Sequence, residues 1–191
     1  MENNKRLGLA VIGCGVVGRM RSTLAKEYPG IGWIGLADIN EELGLKLKDD
    51  IKADFFTTNF RELIERPEVD AVIVATSTWS HVEPILASVE RKLPMMIEKP
   101  LATDAVQSLK VLNAINEAGV DAVVGYTQRF RRRFLAVKER INNGQIGEAT
   151  AVVVRAFMNK MAPTGEVRLT QDRRHLTPMV VSGTHSLDME L

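Results

Sequence analysis

From Leu7 to Tyr126 short apolar runs alternate with stretches of helical period, and this alternation restricts the fold more than any other feature of the chain. Strands are expected at Leu7–Ile12, Ile31–Ala37, Ala53–Phe56, Asp70–Ala75, Pro94–Ile97 and Ala122–Tyr126. Between them, helices are expected at Val16–Glu27, Glu41–Lys48, Phe60–Arg66 and Ser80–Arg91, and from a cap at Thr103 to about Ala118. Breakers stand where helices should stop, at Tyr28-Pro29-Gly30, Pro67 and Gly119. Such runs as DAVIVA at 70–75 are apolar at successive positions, so both faces of the strand must be covered. Repeated βαβ units follow, and with them an α/β fold: a Rossmann-type, doubly wound parallel sheet with helices on both sides.

The character changes after residue 126. A basic helix is expected at Arg129–Asn142, closed by Asn143-Gly144, and then a long β-branched strand at Ala149–Met158. Residues 159–178 are polar and interrupted by Pro163, Gly165 and Pro178, and Val180–Leu191 reads as the start of a helix. One strand does not stand alone as a sheet. The expectation is therefore a dinucleotide-binding domain at 1–123 and a partial second domain at 124–191, in a chain that looks truncated. An exposed ATAVVVRAF strand would also be an aggregation hazard.

Composition excludes several classes. Of 191 residues, 45% are hydrophobic and 26% charged, the mixture of a globular chain. The 25 Lys and Arg against 24 Asp and Glu leave +1, so no global field recruits nucleic acid or membrane. The cluster Arg129-Phe130-Arg131-Arg132-Arg133-Phe134 interleaves basic and aromatic residues. Phe130, Phe134 and Val137 nevertheless share one helical face, which reads as an amphipathic helix rather than a nucleic-acid surface. Cys14 is the single cysteine, so no internal disulfide or zinc cage is expected. With neither a signal peptide nor an apolar run of ~18 residues, the expected location is the cytoplasm.

The chemistry begins at Gly13-Cys14-Gly15-Val16-Val17-Gly18, placed between the first strand and the first helix. Gly13 permits the tight turn, Gly15 lets the backbone approach a pyrophosphate, and Gly18 lets helix and strand pack closely. The N–H groups of the helix start, at Val16 and Val17, face the phosphates. Asp38 ends the second strand, where a carboxylate accepts from adenosine ribose hydroxyls. Its charge repels a 2′-phosphate, and the adjacent Ile39 and Asn40 supply no arginine, so NAD is expected over NADP. Cys14 in this turn reads as a small residue. Met96-Ile97-Glu98-Lys99-Pro100 ends another strand, and Pro100 keeps Lys99 out of helical geometry. On the residues alone Lys99 is either an acid/base beside the cofactor or a surface lysine in a loop.

GCGVVG at 13–18, ADIN at 37–40, ATSTWSH at 75–81, EKP at 98–100, GYTQRF at 125–130, INNGQIGEATAVVVRAF at 141–157 and GTHSLD at 183–188 occur in this order. Together they resemble the Gfo/Idh/MocA family of nicotinamide-dependent oxidoreductases. The resemblance implies a second α/β domain whose mostly antiparallel sheet backs the substrate pocket and commonly forms the oligomer interface, so a homo-oligomer is expected. It implies hydride transfer between NAD(P) and a secondary hydroxyl or ketone of a sugar, inositol or related polyol. Lys99 would act as acid/base or bind the substrate, and Glu98 would orient it or the cofactor ribose. His185 would share the proton. Thr76, Ser77 and Trp79 would meet the nicotinamide half, His81 would contact cofactor or cap a helix, and Thr127 and Arg129 would reach the substrate pocket. Val181 stands where many members carry an Asp four residues before this His, and Ser182 stands where one branch carries Asn, so the Lys/Asp/His trio is incomplete. Two other activities are compatible with the family: a non-catalytic NAD-binding regulator, and a glycoside hydrolase that uses bound NAD transiently.

Overall fold

The structure, a computed structural model, describes residues 6–155 and 183–188. The chain divides into two compact units, Met1–Val124 and Gly125–Leu191. The first holds a sheet of β1 (Leu7–Ile12), β2 (Ile31–Ala37), β3 (Phe55–Thr57), β4 (Ala71–Val74), β5 (Met95–Ile97) and β6 (Ala122–Val124). Its order is β3-β2-β1-β4-β5-β6, and every neighbouring pair is parallel.

Side-chain alternation divides each strand between two cores. Leu9, Val11, Ile34, Leu36 and Ile73 point to the side covered by α1 (Val16–Glu27) and α2 (Glu41–Ile51), with Leu47 buried among them. Ala10, Ile12, Val72, Val74 and Ile97 point to the side covered by α3 (Phe60–Ile64), α4 (Val82–Glu90) and α5 (Ala105–Ala118), which contribute Leu63, Ile85 and Val111. Ile34, Leu36, Val74 and Ile97 are all fully shielded from solvent. Burying one such side chain is worth roughly 1.5–3 kcal/mol, which is why the strands are apolar at consecutive rather than alternate positions.

Several boundaries differ from the sequence-based expectations, each for a local reason. Helix α2 runs past Lys48 to Ile51 and ends on Lys52 at φ 53, and β3 is displaced to Phe55–Thr57 by that extra turn. The cap of α5 is Asp104, not Thr103: its carboxylate accepts from Gln107 N–H, as an N-cap acid does for the third helical residue. A 3-10 turn at Thr78–Ser80 occupies the start expected for α4, and β6 stops at Val124 rather than Tyr126.

In the second unit, Phe130 belongs to a 3-10 turn at Thr127–Phe130, and α6 begins only at Arg132 and ends at Asn142. Phe130 is 66% exposed and Val137 53%, and only Phe134 of the expected apolar face is half-buried. Residues 149–155 form no strand. β-Branched composition is not sufficient for a strand, because a ladder needs a partner, and among the described residues none pairs with this segment. The rest of the expected Ala149–Met158 strand, the 159–178 loop, Val181 and Ser182 lie outside the described residues. Of the expected Val180–Leu191 helix, Thr184–Asp188 is seen and forms α7. No helix among the described residues is long and apolar enough to cross a membrane.

Candidate nucleotide-binding and catalytic site

The sheet order places a crevice at the carboxyl ends of β1 and β4, where successive connections leave in opposite directions. Gly13 turns out of β1 at φ 100, with its N–H on the Ala37 carbonyl at 2.8 Å. A side chain at Gly13 would strike the Ala75 carbonyl at the end of β4, and one at Gly18 would overlap the Gly13 carbonyl oxygen. Gly15 is different, since a Cβ there meets nothing within 4 Å. It is the N-cap of α1 and supplies no side-chain hydrogen bond. Asn40, Asn59 and Asp104 do cap α2, α3 and α5. The first-turn N–H groups of α1, from Val16, Val17 and Gly18, are therefore left to an anion in front of the helix. Val16 is 89% exposed and takes part through its backbone only.

Asp38 ties this turn to the second strand. One carboxylate oxygen accepts from Cys14 N–H at 2.6 Å and the other from Asn40 N–H at 2.8 Å. A carboxylate has about four acceptor positions, so two remain for the vicinal hydroxyls of a ribose. Asp38, Gly13, Ile39, Thr76, Ser77 and Trp79 line one cleft of about 450 Å³. An open glycine turn, an uncapped helix start and a half-satisfied carboxylate on one cleft fit a dinucleotide. Cys14 is buried, and its thiol is pushed up to about 12, first by burial and then by the Asp38 charge. It stays protonated and fills space, as expected.

Lys99 follows β5 on the same sheet edge, half-buried, and its peptide bond to Pro100 is cis. Its neighbours make internal contacts that the sequence does not foretell. Glu98 is only 8% exposed, and its carboxylate accepts two N–H groups from Arg21 on α1, at 2.9 and 2.6 Å. Both bonds fall on Oε1, so Arg21 is the partner that orients this carboxylate within the protein. Arg21 was missed by sequence reading; the available signal was its place one turn after Gly18, on the side of α1 that buries Gly18 and Ser22. His81 is 1% exposed. Its Nδ1 lies 2.8 Å from the Pro100 carbonyl and its Nε2 3.1 Å from the Thr76 carbonyl, and its side chain does not cap α4. It presents no nitrogen to a cofactor.

In the second unit Arg129 gives its Nε and Nη2 to the Asp188 carboxylate, at 2.9 and 2.7 Å. That bidentate pair fastens α7 to the Thr127–Phe130 turn and leaves the Arg129 side chain 44% exposed. The Asp188 carboxylate raises the Arg129 pKa by hydrogen bonding. Tyr126 also titrates above its ordinary value, chiefly through burial and then through the Asp188 charge. Its ring meets His185 edge-on, with centroids 6.1 Å apart. Thr127 is half-buried at the head of the turn. Among the described residues no group of three or more His, Cys, Asp or Glu is placed to hold a metal.

Fold and crevice together define a dinucleotide-binding α/β protein. Residues 7–126 match the model of the Gfo/Idh/MocA family, described as an oxidoreductase family with an NAD-binding Rossmann fold, and the chain belongs to it. It is 30% identical over 140 residues to a myo-inositol 2-dehydrogenase of Thermotoga maritima, covering 73% of this chain and 42% of that one. It is also 30% identical over 187 residues to an inositol 2-dehydrogenase of Agrobacterium fabrum, covering 95% and 52%. The chain thus spans about half the length of these curated relatives. A solved structure of a probable dehydrogenase from Thermotoga maritima superposes with a TM-score of 0.69 at 30% identity, over 74% of this chain and 42% of that one.

Proposed function

We propose that the chain supplies the cofactor half and the acid/base of an NAD-dependent oxidoreductase acting on a secondary hydroxyl of a sugar, inositol or related polyol. The observation that carries this reading is that Lys99 follows β5, the strand next to β4, at the sheet edge where the glycine turn leaves β1. When bound, the nicotinamide ring supplies the hydride acceptor or donor. The chain's own residues do the rest. The first turn of α1 and Asp38 hold the pyrophosphate and ribose, and the loop at Thr76–Trp79 lines the approach to the ring. Lys99, in its neutral form, removes the hydroxyl proton as the carbon is oxidised and returns it when the ketone is reduced. His185 is a second candidate for that proton, a role that rests on the match of GTHSLD at 183–188. Residues 125–191 would then open the substrate domain, and inositols are the first substrates to try, since the relatives above are named for them.

The test is NADH formation from NAD by the 191-residue protein over a panel of inositols and sugar alcohols. Lys99→Ala should lower kcat by at least about a thousandfold, within the range of a lost general base, with NADH affinity nearly unchanged. Undiminished turnover in that variant removes Lys99 from the proton transfer. Tight NADH binding with no turnover of any polyol, in this chain and in one extended to the relatives' length, would favour a regulatory role.

A further inference from the structure

Lys99 lies beyond the last rung that the sheet gives its strand. β5 pairs with β4 as far as Ile97 opposite Val74, and Glu98 N–H adds one bond to the Val74 carbonyl at 2.9 Å. Pro100 has no N–H with which to continue the ladder. A group that meets a reacting atom has to be held to within about 0.5 Å, and the sheet alone does not do this for residues 99 and 100. Side chains from two other elements reach the residues on either side of the lysine.

On one side is Arg21. Its Nε and Nη2 both donate to one oxygen of Glu98, and the two side chains are only 16% and 11% exposed. Charge-assisted bonds out of solvent are short, strong and specific in direction. On the other side is His81, 1% exposed, with Nδ1 on the Pro100 carbonyl and Nε2 on the Thr76 carbonyl. Carbonyls only accept, so the tautomer of the ring decides which of the two contacts is a donated hydrogen bond. Thr76 lines the cleft. Arg21 lies on α1, one turn after Gly18. Each anchor therefore ties a neighbour of Lys99 to one wall of the dinucleotide crevice.

We propose that Arg21 and His81 are positioning residues that bracket Lys99, fixing it relative to the glycine-turn helix through Glu98 and relative to the Thr76 loop through Pro100. This rests on the reading of Lys99 as the proton-transferring group. Neither residue touches the substrate. The bracket sets where the lysine stands when the cofactor is in place, so its loss moves the lysine without dismantling the nucleotide site.

The experiment uses the 191-residue protein, reductively methylated with ¹³C-formaldehyde. The Lys99 dimethylamine resonance is assigned by its disappearance in Lys99→Arg. In the parent protein that resonance should stand apart from those of exposed lysines. In Arg21→Met and in His81→Asn it should collapse onto the exposed-lysine signals, while NADH affinity stays within about threefold. Arg21→Lys keeps the charge but not the fork, and should shift the resonance part of the way; it carries the test if Arg21→Met does not fold. Where polyol turnover is measurable, the same variants should lower kcat at least about tenfold with KM for NAD little changed. A Lys99 resonance that stays in place in folded Arg21 and His81 variants overturns the bracket, as does one that already coincides with exposed lysines in the parent. Lys99→Ala that turns over normally would sink the acid/base reading, and the resonance still decides the bracket.

Discussion

At the scale of single residues the glycine turn separates two kinds of necessity. Gly18 is required by the fold, because any Cβ would overlap the Gly13 carbonyl oxygen. Gly15 is not, since it stands at φ −63 with open space before it. Gly18→Ala should therefore destabilise the protein by about 3 kcal/mol or more, as forced overpacking against backbone does. Gly15→Ala should change stability by no more than about 1 kcal/mol, the range of an N-cap exchange, yet weaken NADH at least about tenfold by placing a methyl where the pyrophosphate approaches. Urea unfolding and NADH titration of both variants measure this; a Gly15→Ala protein that binds NADH normally removes the helix start from the phosphate site. Cys14 carries a pH signature of its own. Its thiol is held at about 12 against the ordinary 9.0, so the folded state keeps a proton that the unfolded chain releases. Its contribution to stability is complete below pH 9.0 and is lost as pH climbs from there through about 12. Unfolding free energies of the parent and Cys14→Ala should accordingly diverge less as pH rises above 9, and the native thiol should resist alkylation at pH 8. Equal alkylation rates in native and urea-unfolded protein would contradict the burial on which this depends.

At the scale of elements, what was legible and what was not divide along physical lines. Strands β1 and β2 and helix α1 could be bounded to the residue, because an apolar run buried on both faces ends abruptly at a glycine turn, an acid or a Pro-Gly stop. The places of Asp38 and the glycines in the turn were legible because backbone geometry within one βαβ unit sets them. Helix α5 was found but its cap was misplaced by one residue, since Thr103 and Asp104 are both good caps and only the bond to Gln107 N–H distinguishes them. Arg21, Asp188 and the true partners of Glu98 and His81 were not legible. Each depends on side chains brought together from distant parts of the chain: Arg21 and Glu98 are 77 positions apart, and Arg129 and Asp188 are 59. No periodicity encodes such a pairing. The described part of the strand expected at 149–158, residues 149–155, is not in a strand for the opposite reason. Its composition is strongly β, but a strand is a property of two segments.

At the scale of the molecule, the crevice formed by β1, β2 and β4 is contained in the unit Met1–Val124, and every group assigned to pyrophosphate and ribose lies there. Nucleotide binding should consequently be a property of this chain as it stands. Its selectivity is expected to follow from one charge. Asp38 keeps its carboxylate oriented by Cys14 N–H and Asn40 N–H and lines the cleft, where the ribose is expected. A 2′-phosphate there meets like charge at short range, and discrimination by repulsion is efficient because nothing nearby has to be rearranged to produce it. The parent protein should bind NADH at least about tenfold more tightly than NADPH. Asp38→Asn keeps an oxygen for the Cys14 amide but removes the charge, so the preference should fall below about threefold, mostly through better NADPH binding. Calorimetric titration of both proteins with both nucleotides decides the matter. A preference that survives in Asp38→Asn places the selectivity elsewhere in the cleft, with the exposed Ile39 beside Asp38 the next position to change. Equal binding of the two nucleotides by the parent protein would mean that the carboxylate, held as it is by two backbone amides, is turned away from the ribose altogether.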